Sequence, residues 1–414
     1  MANALSDNRQ WRSFDWGLLA AVLLLVLTGL SAIFSATHGT PEGPAEVQRQ
    51  FIYLVPATIA MLTMLLYDYG WLFNLSRWIY WGNIGLLAAV LFAGHSALGA
   101  QRWINLGFMT IQPSEFAKLA LIITLAKLLS MRSAKDPRVL WAVALHVLIP
   151  FALIFKQPDL GTSLVFCAIT LGMLFWSGLP GAMMFVLLSP LLSVSLSLIG
   201  WPLWVAYLVG LVIWLWRQPR VHVAWKGALV VVNTLAAFAI PLLWGLLKPY
   251  QRQRLVVFMN PEADPLGSGY HIIQSKVAIG SGGLAGKGYM EGTQTQLHFI
   301  PEQHTDFIFS VVGEEFGFLG GVVLVSIFLL LVWRGVMIAM RAKDTYGSLM
   351  AIGIVSMFLF HFFVNIGMTI GIMPVTGIPL PFISAGGTSL LTNAAAIGLL
   401  LSVSIRRRKL IITP

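Results

Sequence analysis

WGLLAAVLLLVLTGLSAI, residues 16–33, carries no charge over its whole length. An uninterrupted apolar run of about 18 residues or more is a candidate membrane span. It is longer than the roughly 7–15-residue apolar core of a secretory leader. Although Phe34-Ser35-Ala36 loosely resembles a cleavage site, the run reads as a retained first helix. Similar runs follow along the chain, and the spans read as 16–36, 50–67, 76–94, 113–130, 138–155, 160–177, 181–199, 201–216, 225–247, 306–333, 348–369 and 388–405. Only Gly200-Trp201-Pro202 separates 181–199 from 201–216, so these two are either full spans or a re-entrant pair. Composition agrees: of 414 residues, 57% are hydrophobic and 10% charged, against roughly 25% charged in soluble domains. The expected fold is an all-α polytopic membrane protein with about 12 transmembrane helices.

The net charge of +10 does not point to nucleic acid, because the basic residues fall mostly in short gaps between apolar runs. With the N-terminus in the cytoplasm, the inner segments hold Arg9, Arg12, Arg77, Lys127, Arg132, Lys135, Arg138, Arg217, Arg220, Lys226, Arg334, Arg341, Lys343 and the tail Arg406-Arg407-Arg408-Lys409, 17 of the 26 basic residues. Such a bias sets orientation, and both termini are expected in the cytoplasm. The single cysteine, Cys167, lies in an apolar run, so no disulfide forms within one chain.

One outer segment, about 248–305, is long, polar and glycine-rich. Loops of that length are functional or disordered, and Ile272-Ile273 with Val277-Ala278-Ile279 point to a partly helical segment at the membrane edge. Within it, Asp264 sits between turn-forming prolines and a glycine in Asn260-Pro261-Glu262-Ala263-Asp264-Pro265-Leu266-Gly267, shortly after Arg252 and Arg254. A carboxylate on a turn with arginines near in sequence reads either as a general base beside an anion site or as an ordinary turn residue.

Ionisable groups inside a span are costly and need a reason. Glu115 and Lys118, three residues apart after Gln112-Pro113-Ser114, share one helix face. They read as a self-neutralising pair or as a site where Lys118 holds an anionic substrate group. Asp159 in Gln157-Pro158-Asp159-Leu160-Gly161-Thr162 is a helix cap or a polar group at a cavity mouth. Gly280-Ser281-Gly282-Gly283-Leu284-Ala285-Gly286-Lys287 lacks the Walker spacing, and its loose G-x-G-x-x-A match follows no strand, so it is not a nucleotide loop. His298, His304, Asp306, Glu314 and Glu315 match no zinc signature, and no dedicated metal site is expected. The prolines of Met373-Pro374-Val375-Thr376-Gly377-Ile378-Pro379-Leu380-Pro381-Phe382-Ile383-Ser384-Ala385-Gly386-Gly387 break any helix. Irregular backbone at membrane depth is tolerated where it is protein-buried or lines a water-filled cavity.

Gln112-Pro113-Ser114-Glu115, Gln157-Pro158-Asp159-Leu160-Gly161-Thr162, Asp264-Pro265-Leu266-Gly267, Gln274-Ser275-Lys276-Val277-Ala278-Ile279-Gly280-Ser281-Gly282-Gly283 and Pro379-Leu380-Pro381-Phe382-Ile383-Ser384-Ala385-Gly386-Gly387 closely resemble, in order, the motifs of the SEDS family (RodA, FtsW, SpoVE). Gly292-Thr293-Gln294-Thr295-Gln296, Pro301-Glu302-Gln303-His304-Thr305-Asp306 and Met373-Pro374-Val375-Thr376-Gly377-Ile378-Pro379 are most similar to its RodA-type, elongation members. The resemblance implies one SEDS-type membrane domain over 1–414. It implies a peptidoglycan glycosyltransferase of the bacterial cytoplasmic membrane that polymerises lipid II, an undecaprenyl-pyrophosphate-linked disaccharide peptide, on the outer face during cell elongation. Asp264 matches the family's essential aspartate, and Glu115 and Lys118 match its intramembrane pair. The family usually has ten helices, so about 180–222 reads as an inserted helical pair.

The mechanism expected from this likeness is inverting. Asp264 takes the proton of an acceptor 4-hydroxyl, which attacks the donor anomeric carbon, and undecaprenyl pyrophosphate leaves. Arg102, Lys118, Arg252, Arg254 and Lys276 are the cationic candidates for the leaving group, with Glu115, Asp159 and Ser384 completing the substrate-binding set. No tightly bound cofactor is expected, though a loosely held divalent cation (Mg or Mn) would suit the pyrophosphate. Expected partners are a class B penicillin-binding protein, other elongation-complex proteins and membrane lipids, and no nucleic acid. A lipid-linked precursor flippase and a non-catalytic scaffold for the penicillin-binding protein are the competing readings.

Overall fold

The structure, a computed structural model, describes residues 13–93, 95–97, 100–105, 110–134, 136–157, 159–218, 223–239, 244–245, 249–265 and 267–407. Each apolar run is realised as a helix: α1 (Trp16–Thr37), α2 (Gly43–Leu66), α3 (Gly70–Ala93), α4 (Pro113–Met131), α5 (Pro137–Lys156), α6 (Leu160–Trp176), α7 (Gly181–Ile199), α8 (Trp201–Trp216) and α9 (Val223–Phe238). After the long outer segment come α13 (Ile308–Met340), α14 (Thr345–Thr369) and α15 (Gly387–Ile405). The outer segment itself folds into α10 (Pro249–Met259), α11 (Ser268–Ser281) and the short α12 (Thr293–Gln296). The run expected over 225–247 ends as a helix at Phe238, and 240–243 and 246–248 lie outside the described residues, as do the two termini.

Eight described helices are long and apolar enough to cross a membrane, with α6, α8 and α9 as shorter apolar helices. The chain is a multi-pass membrane protein. α4 is 19 residues long and carries Glu115, Lys118 and Lys127, a charge load that a lipid-facing helix does not tolerate. It is instead buried among its neighbours over most of its length.

To the helices the structure adds a small antiparallel sheet that sequence reading did not foresee: β1 (His95–Ala97), β2 (Ala100–Asn105) and β3 (Thr110–Ile111), in that spatial order. It fills the connection between α3 and α4 and ends one residue before Gln112.

The chain divides into two compact units, Met1–Ser177 with Val256–Pro414, and Gly178–Leu255. At the centre of the first stand α14 and α15, whose apolar stretches are 72% and 83% buried, against 17% for α2. In lipid, apolar burial supplies little drive for helix association, so close packing and polar contacts hold the bundle. At one end the caps double as clamps. Asp15 Oδ1 caps α1 through Leu18 N (2.9 Å) and accepts from Arg334 Nε of α13 (2.8 Å). Asp344 caps α14 through Gly347 N (2.7 Å) and accepts from the Tyr69 hydroxyl (2.7 Å). Burial, then the hydrogen bond to Asp344, hold the Tyr69 phenol well above its ordinary range, so it stays a donor.

The second unit, α7 to α9, is tied by a polar knot. The Asn233 amide donates to Ser189 Oγ (3.0 Å) and its Oδ1 accepts from the Tyr207 hydroxyl (3.2 Å). Ser193 Oγ donates to Asn233 O (2.7 Å) and accepts from Trp204 Nε1 (2.8 Å). All three helices are thereby joined.

Candidate active site

Four of the motif segments meet at the end of the first unit opposite the clamps. Their hub is Asp159. It caps α6 by accepting from Thr162 N (3.2 Å) at Oδ1, while Oδ2 accepts from Thr162 Oγ1 (2.9 Å). Oδ2 also accepts from Gln112 Nε2 (3.1 Å) and Ser114 Oγ (3.4 Å). The cap reading of Asp159 is what these bonds realise. Arg102 on β2 donates to Gln157 O (3.0 Å) and lies 3.9 Å from Asp159 Oδ1, with a quarter of its side chain exposed. The sheet is what carries this guanidinium to the hub. Gly161 is required at the second residue of α6: a Cβ there would come within 2.8 Å of Ile378 Cγ1 and 3.1 Å of Thr376 O.

One turn below Ser114 lies a buried charged triad. Lys118 Nζ donates to both Glu115 oxygens (2.8 and 2.7 Å) and stands 3.1 Å from His361 Nε2 on α14. His361 Nδ1 is 2.7 Å from Met357 O, an acceptor only. Nδ1 therefore carries the proton and Nε2 accepts from Lys118. All three Lys118 donors are spent on protein groups. His361 was not singled out in the sequence, although an ionisable side chain within the 348–369 run was the signal available.

The proline-broken segment after α14 is pinned rather than loose. Ser384 Oγ donates to Thr305 O (2.6 Å) and accepts from Leu380 N (2.8 Å), so it spends its hydroxyl on the backbone. Asn365 Nδ2 of α14 donates to Asp306 O (3.0 Å) and Ile378 O (2.8 Å), stitching the outer loop to this segment. Thr388 Oγ1 donates to Thr110 O (3.0 Å), which adds the sheet. Among the described residues, buried Asn365 Oδ1 and Thr376 Oγ1 have no hydrogen-bond partner.

Asp264 follows a single 3-10 turn, Pro261–Ala263, and its carbonyl accepts from Gly267 N (3.3 Å) and Gly269 N (3.1 Å). A Cβ on Gly267 would fall 2.5 Å from Asp264 Oδ1, so the Asp-Pro-Leu-Gly motif leaves out a side chain where the carboxylate lies. The turn leads into α11, which is bolted to the same end of the bundle. Ser275 Oγ contacts Thr369 O and Ser310 Oγ (both 2.6 Å). The exposed Lys276 extends over Gly371. Beyond α11, Glu314 accepts from Lys287 Nζ (2.7 Å), Gln294 N (2.9 Å) and Thr295 N (2.9 Å), which orders the loop around α12. Gln296 and Gln303 of that loop donate to the backbone of Ser35 and Ala36 on α1.

Arg252 and Arg254 both lie on α10, and Arg252 Nη2 donates to Gly245 O (2.9 Å). Residues two apart on a helix point away from each other, so the two do not form a clamp as a pair. Among the described residues no group of three His, Cys, Asp or Glu side chains converges as a metal cage.

A family model described as "Cell cycle protein", for FtsW, RodA and SpoVE, matches residues 13–226 and 182–409. The chain is 39% identical to the peptidoglycan glycosyltransferase RodA of Treponema pallidum over 95% of this chain and 98% of that one. It is 37% identical to the peptidoglycan glycosyltransferase MrdB of Escherichia coli K12 over 98% and 99%. Among solved structures it resembles a chain from a peptidoglycan synthase complex that coordinates polymerization and crosslinking, with a TM-score of 0.72 and 32% identity over 94% of this chain and 97% of that one. The chain belongs to the FtsW, RodA and SpoVE family.

Proposed function

We propose that this chain, a peptidoglycan glycosyltransferase, joins lipid II units into β-1,4 glycan strands with Asp264 as general base. The observation that carries the proposal is the shaping of the Asp264 turn: two glycines make room for the carboxylate and its carbonyl, and the following helix is fixed to the end of the bundle where the other motifs converge.

Asp264 receives the proton of the acceptor 4-hydroxyl, whose oxygen bonds to the donor anomeric carbon as the bond to pyrophosphate breaks. Geometry inverts, and undecaprenyl pyrophosphate departs with its charge. Lys276 and Arg102 retain exposure and face this task best. Lys118 acts as a positioning residue, holding α4 and α14 in register through Glu115 and His361. A divalent cation, Mg or Mn, accompanies the pyrophosphate of the substrate.

The motif end faces outward and both termini face the cytoplasm, as the distribution of basic residues supports. A crosslinking enzyme, of the class B penicillin-binding type, is the partner, alongside other elongation-complex proteins. The segment about 180–222 is an inserted helical pair, and the overlap of the two family matches across it supports this.

Purified protein incubated with lipid II in detergent tests the reading. Strands degraded by a muramidase are expected. A flippase or a scaffold would leave lipid II unchanged.

A further inference from the structure

The glycosyltransferase reading leaves unused a cavity lined by basic side chains, at the far end of α4. That helix begins with the Glu115–Lys118 pair and ends at Met131. At 1.5 Å per residue its ends are about 27 Å apart, close to the ~30 Å hydrocarbon thickness of a bilayer. The cavity, about 290 Å³, is formed by α3, α4 and α5, and it is lined by Arg77, Lys127, Arg132 and His146 with no acidic residue.

Among the described residues no carboxylate pairs with Arg77, Lys127 or Arg132. Lys127 is held at the wall by one hydrogen bond, to Phe73 O (2.7 Å), with its ammonium 4.5 Å over the Phe73 ring. Two of its three donors remain for a ligand. The floor is rigid: the His146 ring stacks on Tyr80 at 4.1 Å and bonds Thr124 Oγ1 (2.8 Å). Gathering three cations without a counter-charge is unfavourable, and an anion between them removes that cost.

The surroundings choose the anion. Trp78 and Trp81 on α3 and Trp141 on α5 are exposed at 75%, 57% and 67%, and exposed tryptophans mark the level of lipid head groups. Tyr80, Leu128 and Met131 give the cavity an apolar wall for the glycerol and upper acyl chain. Basic pockets between helices at this level suit anionic head groups.

We propose that this cavity binds the phosphate of an anionic phospholipid, with Arg77 and Arg132 as forks and Lys127 beneath them. The proposal uses only the placement of α4 across the bilayer. It holds whether or not the chain polymerises glycan.

The full chain in neutral detergent is titrated with phosphatidylglycerol or phosphatidylcholine and read by native mass spectrometry. Wild type is expected to retain phosphatidylglycerol in preference to phosphatidylcholine. Arg77→Gln/Arg132→Gln, which changes two exposed side chains, is expected to weaken phosphatidylglycerol roughly 25-fold, about fivefold per cation, and to leave phosphatidylcholine unchanged. Arg77→Lys/Arg132→Lys keeps the charge and retains most of the affinity. Equal phosphatidylglycerol binding by wild type and the Gln variant overturns the proposal. So does displacement of the lipid by millimolar inorganic phosphate, which would make the cavity a free-phosphate site.

Discussion

Lys118 and His361, 243 positions apart in sequence, meet at 3.1 Å inside the bundle, with Glu115 closing the triad on the other side of the ammonium. The imidazole is held in one tautomer by Met357 O. A buried pair that loses one partner leaves an uncompensated charge.

Lys118→Ala is therefore expected to destabilise the protein by about 3–5 kcal/mol. His361→Ala removes a neutral acceptor and is expected to cost about 1–3 kcal/mol. Glu115→Ala/Lys118→Ala together is expected to cost less than the sum of the singles, since neither charge is then stranded. Unfolding in detergent, followed by intrinsic fluorescence against temperature, measures these three and the single Glu115→Ala. Additive losses would show that the triad does not act as a unit.

Asp159 serves the α6 cap and two donors from the Gln112-Pro113-Ser114 segment. Asp159→Ala is expected to cost about 0.5–2 kcal/mol for the cap alone, with a further loss because the Thr162 and Ser114 hydroxyls lose their acceptor. Asp159→Asn keeps an acceptor for Thr162 N but turns an amide donor toward Gln112 Nε2. It is expected to be intermediate in both stability and polymerisation rate.

Much of this arrangement is legible in the sequence, and the parts that are not share a cause. Apolar runs locate helices because their length is set by the bilayer. Glu115, Lys118 and Asp159 stand out because charge inside such runs needs a reason. His361 escapes, since periodicity reveals the face of one helix and says nothing about which helix lies opposite. The sheet escapes because β2 is six residues long and β3 two, too short for an alternation to register. The convergence of Asp159, Asn365 and Thr376 is likewise tertiary, and only the glycine at 161 hints at it, through the close approach it permits.

Gly267 tests whether the Asp264 carboxylate must lie where the structure places it. Gly267→Ala puts a methyl 2.5 Å from Oδ1 and displaces the carboxylate. A fall in kcat of tenfold or more is expected with KM little changed, since about 1.4 kcal/mol of lost positioning is one decade in rate. Gly280→Ala on α11 meets nothing within 4 Å and is expected to behave as wild type. A Gly267→Ala enzyme of full rate would separate the turn from catalysis.

Asn233 is fully buried and joins α7, α8 and α9. Hydrogen bonds between membrane helices contribute about 0.6 kcal/mol each and up to about 1.7. Asn233→Leu is expected to cost about 1–2 kcal/mol, seen as faster proteolysis between Gly178 and Leu255. Unchanged proteolysis would show that close packing alone holds that unit.

The central claim is that Asp264 acts on the substrate directly. The measurement is glycan polymerisation from purified lipid II in detergent by wild type and Asp264→Asn. Each is assayed alone and with a transpeptidase partner whose crosslinking is blocked by β-lactam. Asp264→Asn replaces the base by an amide of the same shape that cannot accept the proton. The account predicts polymer from wild type and none from the variant at equal thermal stability and partner binding. Equal polymer from both would contradict it.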